Sequence, residues 1–211
     1  LFGFDLKQNF AFPYFSRDIA EFWRRWHISL STWFRDYLYI PLGGSKGSNS
    51  KRIRNVFIIF LVSGFWHGAN WTFIIWGALN ALYFLPLLLL KTNRNNLNIA
   101  AEGKVLPTIK ETINILFTFG LTVFAWIFFR AENIDHAINY ISEIFSNSLF
   151  SIPEILPKTG ILLIIIFVFF EWLGREGKYG IENLFISYKR SIRWIIYMIL
   201  VVLILYYVYF I

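Results

Sequence analysis

Residues 56–90 read VFIIFLVSGFWHGANWTFIIWGALNALYFLPLLLL, and this stretch decides the fold. It contains no Lys, Arg, Asp or Glu, whereas Arg54 precedes it and Lys91 follows it. His67 lies near its middle, and an imidazole at membrane depth is costly enough to indicate a functional site. Histidine is also the side chain best suited to proton transfer near neutral pH. The stretch therefore predicts both a membrane location and a candidate catalytic group.

The composition of the 211-residue chain is that of an integral membrane protein. Hydrophobic residues make up 57% of the chain and charged residues 16%, whereas soluble domains carry about 25% charged residues. The net charge of +7 resides between the apolar runs, as the positive-inside bias predicts, so we expect no nucleic-acid partner. Cysteine is absent, which excludes disulfides and thiolate chemistry. With three histidines and few carboxylates in the apolar runs, we expect no metal site.

Residues 16–40 are predicted to form one helix that lies in the membrane interface. Ser16 is a suitable N-cap, and the acidic residues that follow it favour a helix start. An apolar face at three- and four-residue spacing is formed by Ile19, Trp23, Trp26, Leu30, Trp33 and Tyr37. The basic side chains expected on other faces are Arg17, Arg24 and Arg25. A basic helix with Trp on its apolar side is typical of interfacial helices.

The 35 residues of the stretch 56–90 are long enough for two helices. Gly64 and residues 68–70 mark a break between them. Because irregular backbone at membrane depth must be satisfied by protein or a watery cavity, we expect a cavity beside His67.

Three further spans are predicted at residues 113–129, 161–173 and 194–211, each apolar and flanked by polar segments. The basic segments 17–54 and 175–193 are placed on the cytoplasmic side, and the more acidic segment 131–158 outside. The sequence thus predicts an all-α, multi-pass membrane protein.

His67 has two interpretations. It could be a buried histidine that stiffens a helix turn, but its place beside a glycine-rich break favours a functional role. Low-dielectric surroundings favour the neutral imidazole, which is the form that a general base needs.

Other polar residues have weaker signals. His27 is either an interfacial anchor or a second polar group in the same pocket. Asn70 and Trp71 either pack beside the break or contact substrate. Arg35 and Asp36 either form a bracing ion pair or bind a phosphate or carboxylate group of a donor. The segment 43–47 lacks the spacing of a phosphate loop, and the chain has no Gly-x-Ser-x-Gly nucleophile motif.

Two sequence blocks carry a resemblance to a known family. Residues 21–31, EFWRRWHISLS, followed by residues 33–44, WFRDYLYIPLGG, resemble the signature block of bacterial membrane-bound O-acyltransferases. Residues 63–71, SGFWHGANW, resemble the second block, which holds that family's invariant histidine. The likeness is closest to the alginate and peptidoglycan O-acetylation branch.

The resemblance implies a bundle of transmembrane helices around a funnel in the bacterial inner membrane, with interfacial amphipathic helices. It implies that residues 1–211 are the C-terminal part of one longer acyltransferase domain. His67 then matches the catalytic position and His27 the family's second histidine. No cofactor is expected to be bound; the acyl donor is a thioester, acetyl-CoA or an acyl carrier. The expected partners are the lipid bilayer, a polysaccharide acceptor and an extracytoplasmic acetyltransferase.

The function expected from these features is acetyl transfer to hydroxyls of a cell-surface or secreted polysaccharide, with His67 as general base. D-alanyl transfer to teichoic acid is the alternative within the enzyme class. A transporter component, in which His67 relays protons, and a non-enzymatic scaffold are the alternatives outside it.

Overall fold

The described part of this chain contains α-helices of 7 to 22 residues. The computed structural model describes residues 8–146, 156–181, 185–186 and 188–210, and in these ranges the regular structure is helical throughout. The chain divides into two units, Leu1–Pro157 and Lys158–Ile211. The α-helices are α1 (Ile19–Arg25), α2 (Ile28–Phe34), α3 (Asn49–His67), α4 (Trp71–Leu89), α5 (Ile109–Arg130), α6 (Ile134–Ile144), α7 (Lys158–Gly174) and α8 (Arg190–Phe210).

The segment predicted as one helix over residues 16–40 is interrupted. The chain leaves the helical conformation after α1, at residues 26–27, and His27 adopts a left-handed backbone with φ 48° and ψ 52°. After α2 the chain continues into a wider π-helical turn, Arg35–Tyr39. The aromatic spacing did not reveal the break because the three- and four-residue spacing continues across it, although Trp23 packs on Phe60 and Trp76 whereas Trp33 packs on Tyr37. The single-helix prediction was therefore wrong.

The predicted cap of this segment was also wrong. Asp18, and not Ser16, is the N-cap of α1, and its Oδ1 accepts a hydrogen bond of 2.7 Å from the backbone N–H of Glu21. The hydroxyl of Ser16 instead donates to the carbonyl oxygen of Pro13 at 2.6 Å. Helix α1 therefore starts later than expected because the Ser16 hydroxyl is occupied by the preceding turn.

Arg17 does not lie on an outer basic face as predicted. Its guanidinium is buried and forms an ion pair with Glu21, a carboxylate with a side chain only 1% exposed. Arg25 binds the same carboxylate at 2.9 Å, and Arg17 also reaches Glu111 of α5 at 3.4 Å. Burial by itself would lower the pKa of Arg17, but the hydrogen bond and charge of Glu21 together with Glu111 raise it. Basic residues of this segment thus tie α1 to α5.

The uncharged stretch 56–90 forms the greater part of α3 and all of α4, with residues 68–70 as the turn between them. The two helices pack antiparallel with their backbones in contact. A Cβ atom at Gly64 would overlap the carbonyl oxygen of Phe73, and one at Gly77 would overlap that of Phe60. Only glycine lets the helices approach this closely.

Two of the described helices, α4 with 19 residues and α5 with 22, are long and apolar enough to cross a membrane. α5 starts before the predicted span 113–129, at a capping box in which Thr108 and Glu111 bond each other's backbone N–H. The predicted spans 161–173 and 194–211 fall in α7 and α8, except for Ile211, which lies outside the described residues. Of the predicted outer segment 131–158, residues 147–155 also lie outside them.

The backbone contact between α3 and α4 predicts which glycines tolerate a methyl group. Gly64→Ala should lower the free energy of unfolding by about 1–3 kcal/mol, because the new methyl meets backbone that cannot rotate away. Gly120→Ala in α5 is the matched control, since nothing lies within 4 Å of a Cβ there. The control should be neutral or stabilise by up to about 1 kcal/mol. Thermal unfolding of the two detergent-solubilised variants checks this, and equal midpoints would contradict the contact.

Candidate functional site

His67 is the last residue of α3 and lies half-buried among aromatic rings. Its ring packs edge-on against Phe129 of α5 at a centroid distance of 4.9 Å and against Trp76 of α4 at 5.4 Å. Trp66 and Phe73 lie at 5.0 and 6.1 Å. Helices α3, α4 and α5 therefore all contribute to the surroundings of this imidazole.

The nitrogens of His67 are not engaged by any side chain or backbone group in the described part of the chain. None of the described residues forms a hydrogen bond or ion pair with this ring. The aromatic rings hold the imidazole in place by ring contacts without occupying either nitrogen. The arrangement leaves one nitrogen to donate and one to accept, which is what proton transfer to or from a bound hydroxyl requires.

His27 lies in the turn between α1 and α2, and its ring is held by Asn9. The distance from Nδ1 of His27 to Oδ1 of Asn9 is 3.3 Å. The same Oδ1 accepts from the backbone N–H of Ser29 at 3.0 Å and from the Ser29 hydroxyl at 2.9 Å. Because a backbone N–H can only donate, this atom of Asn9 is an acceptor, and Nδ1 of His27 must carry the proton. In the neutral ring Nε2 therefore has the free lone pair.

His27 and His67 are forty residues apart in the sequence, and ring contacts link His27 to the end of α1, because Phe10 packs against both His27 and Trp26, at 5.8 and 5.0 Å. A run of rings also connects α1 to His67: Trp23 packs on Trp76 at 5.8 Å, and Trp76 packs on His67. Oδ1 of the buried Asn80 accepts a hydrogen bond from the Trp23 indole at 3.2 Å, which fixes the orientation of the Trp23 ring.

Asn70 has a bracing role at the turn between α3 and α4. Its Oδ1 caps α4 by accepting from the backbone N–H of Thr72 at 3.1 Å. Its Nδ2 donates to the carbonyl oxygen of Glu132 at 2.7 Å, which links the turn to the chain between α5 and α6. Trp71, beside it, is 71% exposed. Of this pair, Trp71 presents the larger free surface near His67.

Arg35 and Asp36 form an ion pair of 2.7 Å between exposed side chains. The pair lies in the turn after α2, and the structure does not bring it to the histidines. Arg35 instead lines a separate cavity.

This cavity has a volume of about 560 Å³ and lies between α1, α2, α3 and the C-terminal end of α4. We call it the basic cavity. Its lining contains five cationic side chains and no carboxylate: Arg24, Arg35, Arg52, Lys91 and Arg94. The cavity extends along α3 as far as Ser63, one helical turn before His67. Trp23 belongs to its wall, so Trp76 stands between the cavity and His67.

The sequence did not reveal two features of the site, namely Asn9 and the basic cavity. Asn9 gave no signal, because a single Asn eighteen residues before a histidine belongs to no recognisable motif. The basic cavity draws its cations from α1, the turn after α2, α3 and the loop after α4. The only available signal was the excess of basic residues in segment 17–54 and around residue 91.

The chain is similar to known proteins. Residues 1–129 match the model of the membrane-bound O-acyltransferase family. The chain is 44% identical over 155 residues to "Probable alginate O-acetylase AlgI" of Pseudomonas aeruginosa, which covers 74% of this chain and 28% of that protein. It is 42% identical over 137 residues to "Peptidoglycan O-acetyltransferase" of Helicobacter pylori, with 65% and 24% covered.

A more distant relative is "Teichoic acid D-alanyltransferase" of Streptococcus thermophilus, 34% identical over 141 residues, which cover 61% of this chain and 34% of that protein. The chain thus spans between a quarter and a third of the length of these curated relatives. The family match includes both histidines, the turn between α3 and α4 and the whole basic cavity. The chain belongs to the membrane-bound O-acyltransferase family.

Proposed function

We propose that the protein transfers acetyl groups from a cytoplasmic thioester donor to hydroxyls of a cell-surface or secreted polysaccharide. The observation that carries this proposal is the imidazole of His67, which lies among rings from three helices and has no hydrogen bond with a described residue, in a chain of this family. The names of the relatives with the higher identities, an alginate O-acetylase and a peptidoglycan O-acetyltransferase, favour acetate as the group and a glycan as the acceptor.

In this mechanism His67 is the general base. Its free nitrogen accepts the proton of the acceptor hydroxyl as the oxygen attacks the thioester carbonyl. The new C–O bond forms, the C–S bond breaks, and the thiolate takes the proton back from the imidazolium. The rings packed around the half-buried imidazole limit the access of water, which limits hydrolysis of the thioester.

His27 serves as the second polar group of the site. With Nδ1 donating to Asn9, Nε2 of His27 is an acceptor that can orient a hydroxyl. Trp71 offers an exposed indole beside the turn, a surface suited to a sugar ring, and Asn70 contributes by holding that turn. Arg35 and Asp36 are proposed to bind the donor rather than the acceptor.

We place the protein as a multi-pass component of the bacterial inner membrane that works with an extracytoplasmic acetyltransferase. D-alanyl transfer remains the second candidate, since a teichoic acid D-alanyltransferase is among the relatives. Mass spectrometry of surface glycans separates the two, because acetyl and D-alanyl esters differ in mass. A transporter component would move substrate without consuming the donor, and a scaffold would work equally well without His67.

His67→Ala in the full-length protein should lower surface acetylation by about 10²–10⁴-fold, the usual contribution of a general base. Membrane expression should be unchanged, because His67 makes no hydrogen bond within the described residues. His136→Ala is the matched control: this histidine is exposed on α6 and should leave acetylation at the normal level. Acetylation that persists at the normal level in His67→Ala would rule out the assignment.

The role of Asn9 gives a separate prediction about the tautomer of His27. Asn9→Leu removes the acceptor, so the neutral His27 ring should lose its preference for a proton on Nδ1. The ¹⁵N shifts of histidine-labelled protein report this directly. Ser29→Ala is the control, because it removes one donor to Asn9 and leaves the acceptor of His27 in place. If Asn9→Leu leaves the ¹⁵N shifts of His27 as they are in the Ser29→Ala control, Asn9 does not set the tautomer.

A further inference from the structure

A groove of about 450 Å³ runs along α8, in the second unit of the chain. Two rows of apolar side chains at four-residue spacing line it: Trp194, Met198 and Val202, and beside them Ile195, Ile199 and Leu203. These side chains are 46–59% exposed. The groove reaches from residue 194 to residue 203, which is about 14 Å at 1.5 Å per residue. Because the hydrocarbon core of a membrane is about 30 Å thick, this α8 groove is about as long as one leaflet.

Cationic side chains stand at the N-terminal end of the α8 groove. Arg190 lies four residues before Trp194 and therefore continues one row of groove side chains toward the start of the helix. Arg193 follows Arg190 by three residues. Lys189 precedes the helix, and its carbonyl oxygen accepts from the backbone N–H of Arg193 at 3.2 Å. Residues three and four apart are neighbours on a helix surface, so these three cations form one group, which we call the α8 cluster.

The α8 cluster is not neutralised by the described part of the chain. None of its side chains forms a hydrogen bond or ion pair with a described residue, and Nε of Arg193 is buried without a partner. The first turn of α8 contains no acidic residue. Like charges at these spacings destabilise a helix, and so do cations at its N-terminus, where the macrodipole is positive. An anion beside the cluster would remove both costs.

No described carboxylate of the second unit supplies this anion. Glu176 pairs with Arg175 at 3.5 Å. Glu171 belongs to α7 and forms no ion pair with a described residue. Glu182 lies outside the described residues.

Arg175 is engaged by the fold in a way that the α8 cluster is not. Its side chain is 5% exposed, donates to the carbonyl oxygen of Trp172 at 2.7 Å and lies 4.1 Å from the centre of that indole. Lys189 and Arg190 are exposed, and Arg193 is half-buried. The cations of α8 are therefore accessible to a ligand, whereas Arg175 is occupied.

We propose that α8 binds an anionic phospholipid, with the phosphate of the lipid at the α8 cluster and one acyl chain along the α8 groove. Guanidinium groups match the geometry of phosphate oxygens. Trp194 lies between the charged and apolar parts, as indoles do at a membrane interface. An apolar partner helix would leave the cations without a counter-charge, and a simple ion would leave the groove exposed. A phospholipid with a net negative headgroup satisfies both parts.

This site lies outside residues 1–129, which match the family model. It concerns lipid binding alone and does not require acyl transfer at His67. The membrane-bound character of the family supplies the ligand, because anionic phospholipids surround such a protein.

The test uses the full-length protein, purified in mild detergent, stripped of lipid and titrated with phosphatidylglycerol or phosphatidylcholine under native mass spectrometry. The cluster variant is Arg190→Gln with Arg193→Gln. The matched control is Lys51→Gln with Lys110→Gln, which removes the same charge from the first turns of α3 and α5. A second variant, Arg190→Lys with Arg193→Lys, keeps the charge and separates its loss from a loss of folding.

The unmodified protein should bind phosphatidylglycerol in preference to phosphatidylcholine. The cluster variant should bind phosphatidylglycerol about tenfold more weakly, which corresponds to about 1.4 kcal/mol, because each cation beside an anionic lipid adds to the affinity. The control and the Lys variant should stay within about twofold of the unmodified protein.

Equal phosphatidylglycerol affinity in the cluster variant and the control would overturn the proposal, as would an equal loss of both lipids. A dimer without lipid in the same spectra would assign the groove to a second copy of the chain instead. His67→Ala should leave lipid binding unchanged, so a failure of the catalytic proposal is distinguishable from a failure of this one.

Discussion

The rest of the site depends on the contact between the backbones of α3 and α4 at Gly64 and Gly77. Each glycine faces a carbonyl group of the other helix, so the helix axes are closer than any side chain would allow. This closeness brings Trp76 against His67, one turn beyond Gly64. Helix α5 then completes the surroundings with Phe129. The position of the imidazole thus depends on two glycines, one on each helix of the pair.

The helix pair and its turn were predictable because their signals are local. A long uncharged stretch with a cluster of small and polar residues near its middle can form only a few structures at membrane depth. The break at His27 was not predictable in this way. Helical spacing of aromatic residues is the same on both sides of it, and the left-handed conformation is stabilised by Asn9, a residue distant in sequence. Local periodicity contains no information about such a partner.

The charged residues also divide into a feature that the sequence predicts, the basic character of a segment, and one that it does not, the pairing of each cation. Segment 17–54 was identified as basic, but the sequence could not distinguish cations that form ion pairs within the fold from those that do not. Arg17 and Arg25 both form ion pairs with one buried carboxylate, Glu21. Arg52 lies in the same segment, yet its terminal nitrogens are free within the described residues. Pairing depends on tertiary contacts, so net charge predicts a membrane orientation and does not predict a binding site.

Helix α3 connects the basic cavity with the surroundings of His67, because it contributes residues to both. Arg52 stands in its first turn and His67 at its end, fifteen residues later, which is about 22 Å at 1.5 Å per residue. The first end contributes a cation to the basic cavity, and the second end is surrounded by aromatic rings. The proposed function uses the cations at the first end and the ring-packed imidazole at the second. Because one rigid helix carries both, the backbone sets the distance between Arg52 and His67. Trp76 packs on both Trp23 of the cavity wall and His67, so its ring separates the cavity from the imidazole on that side.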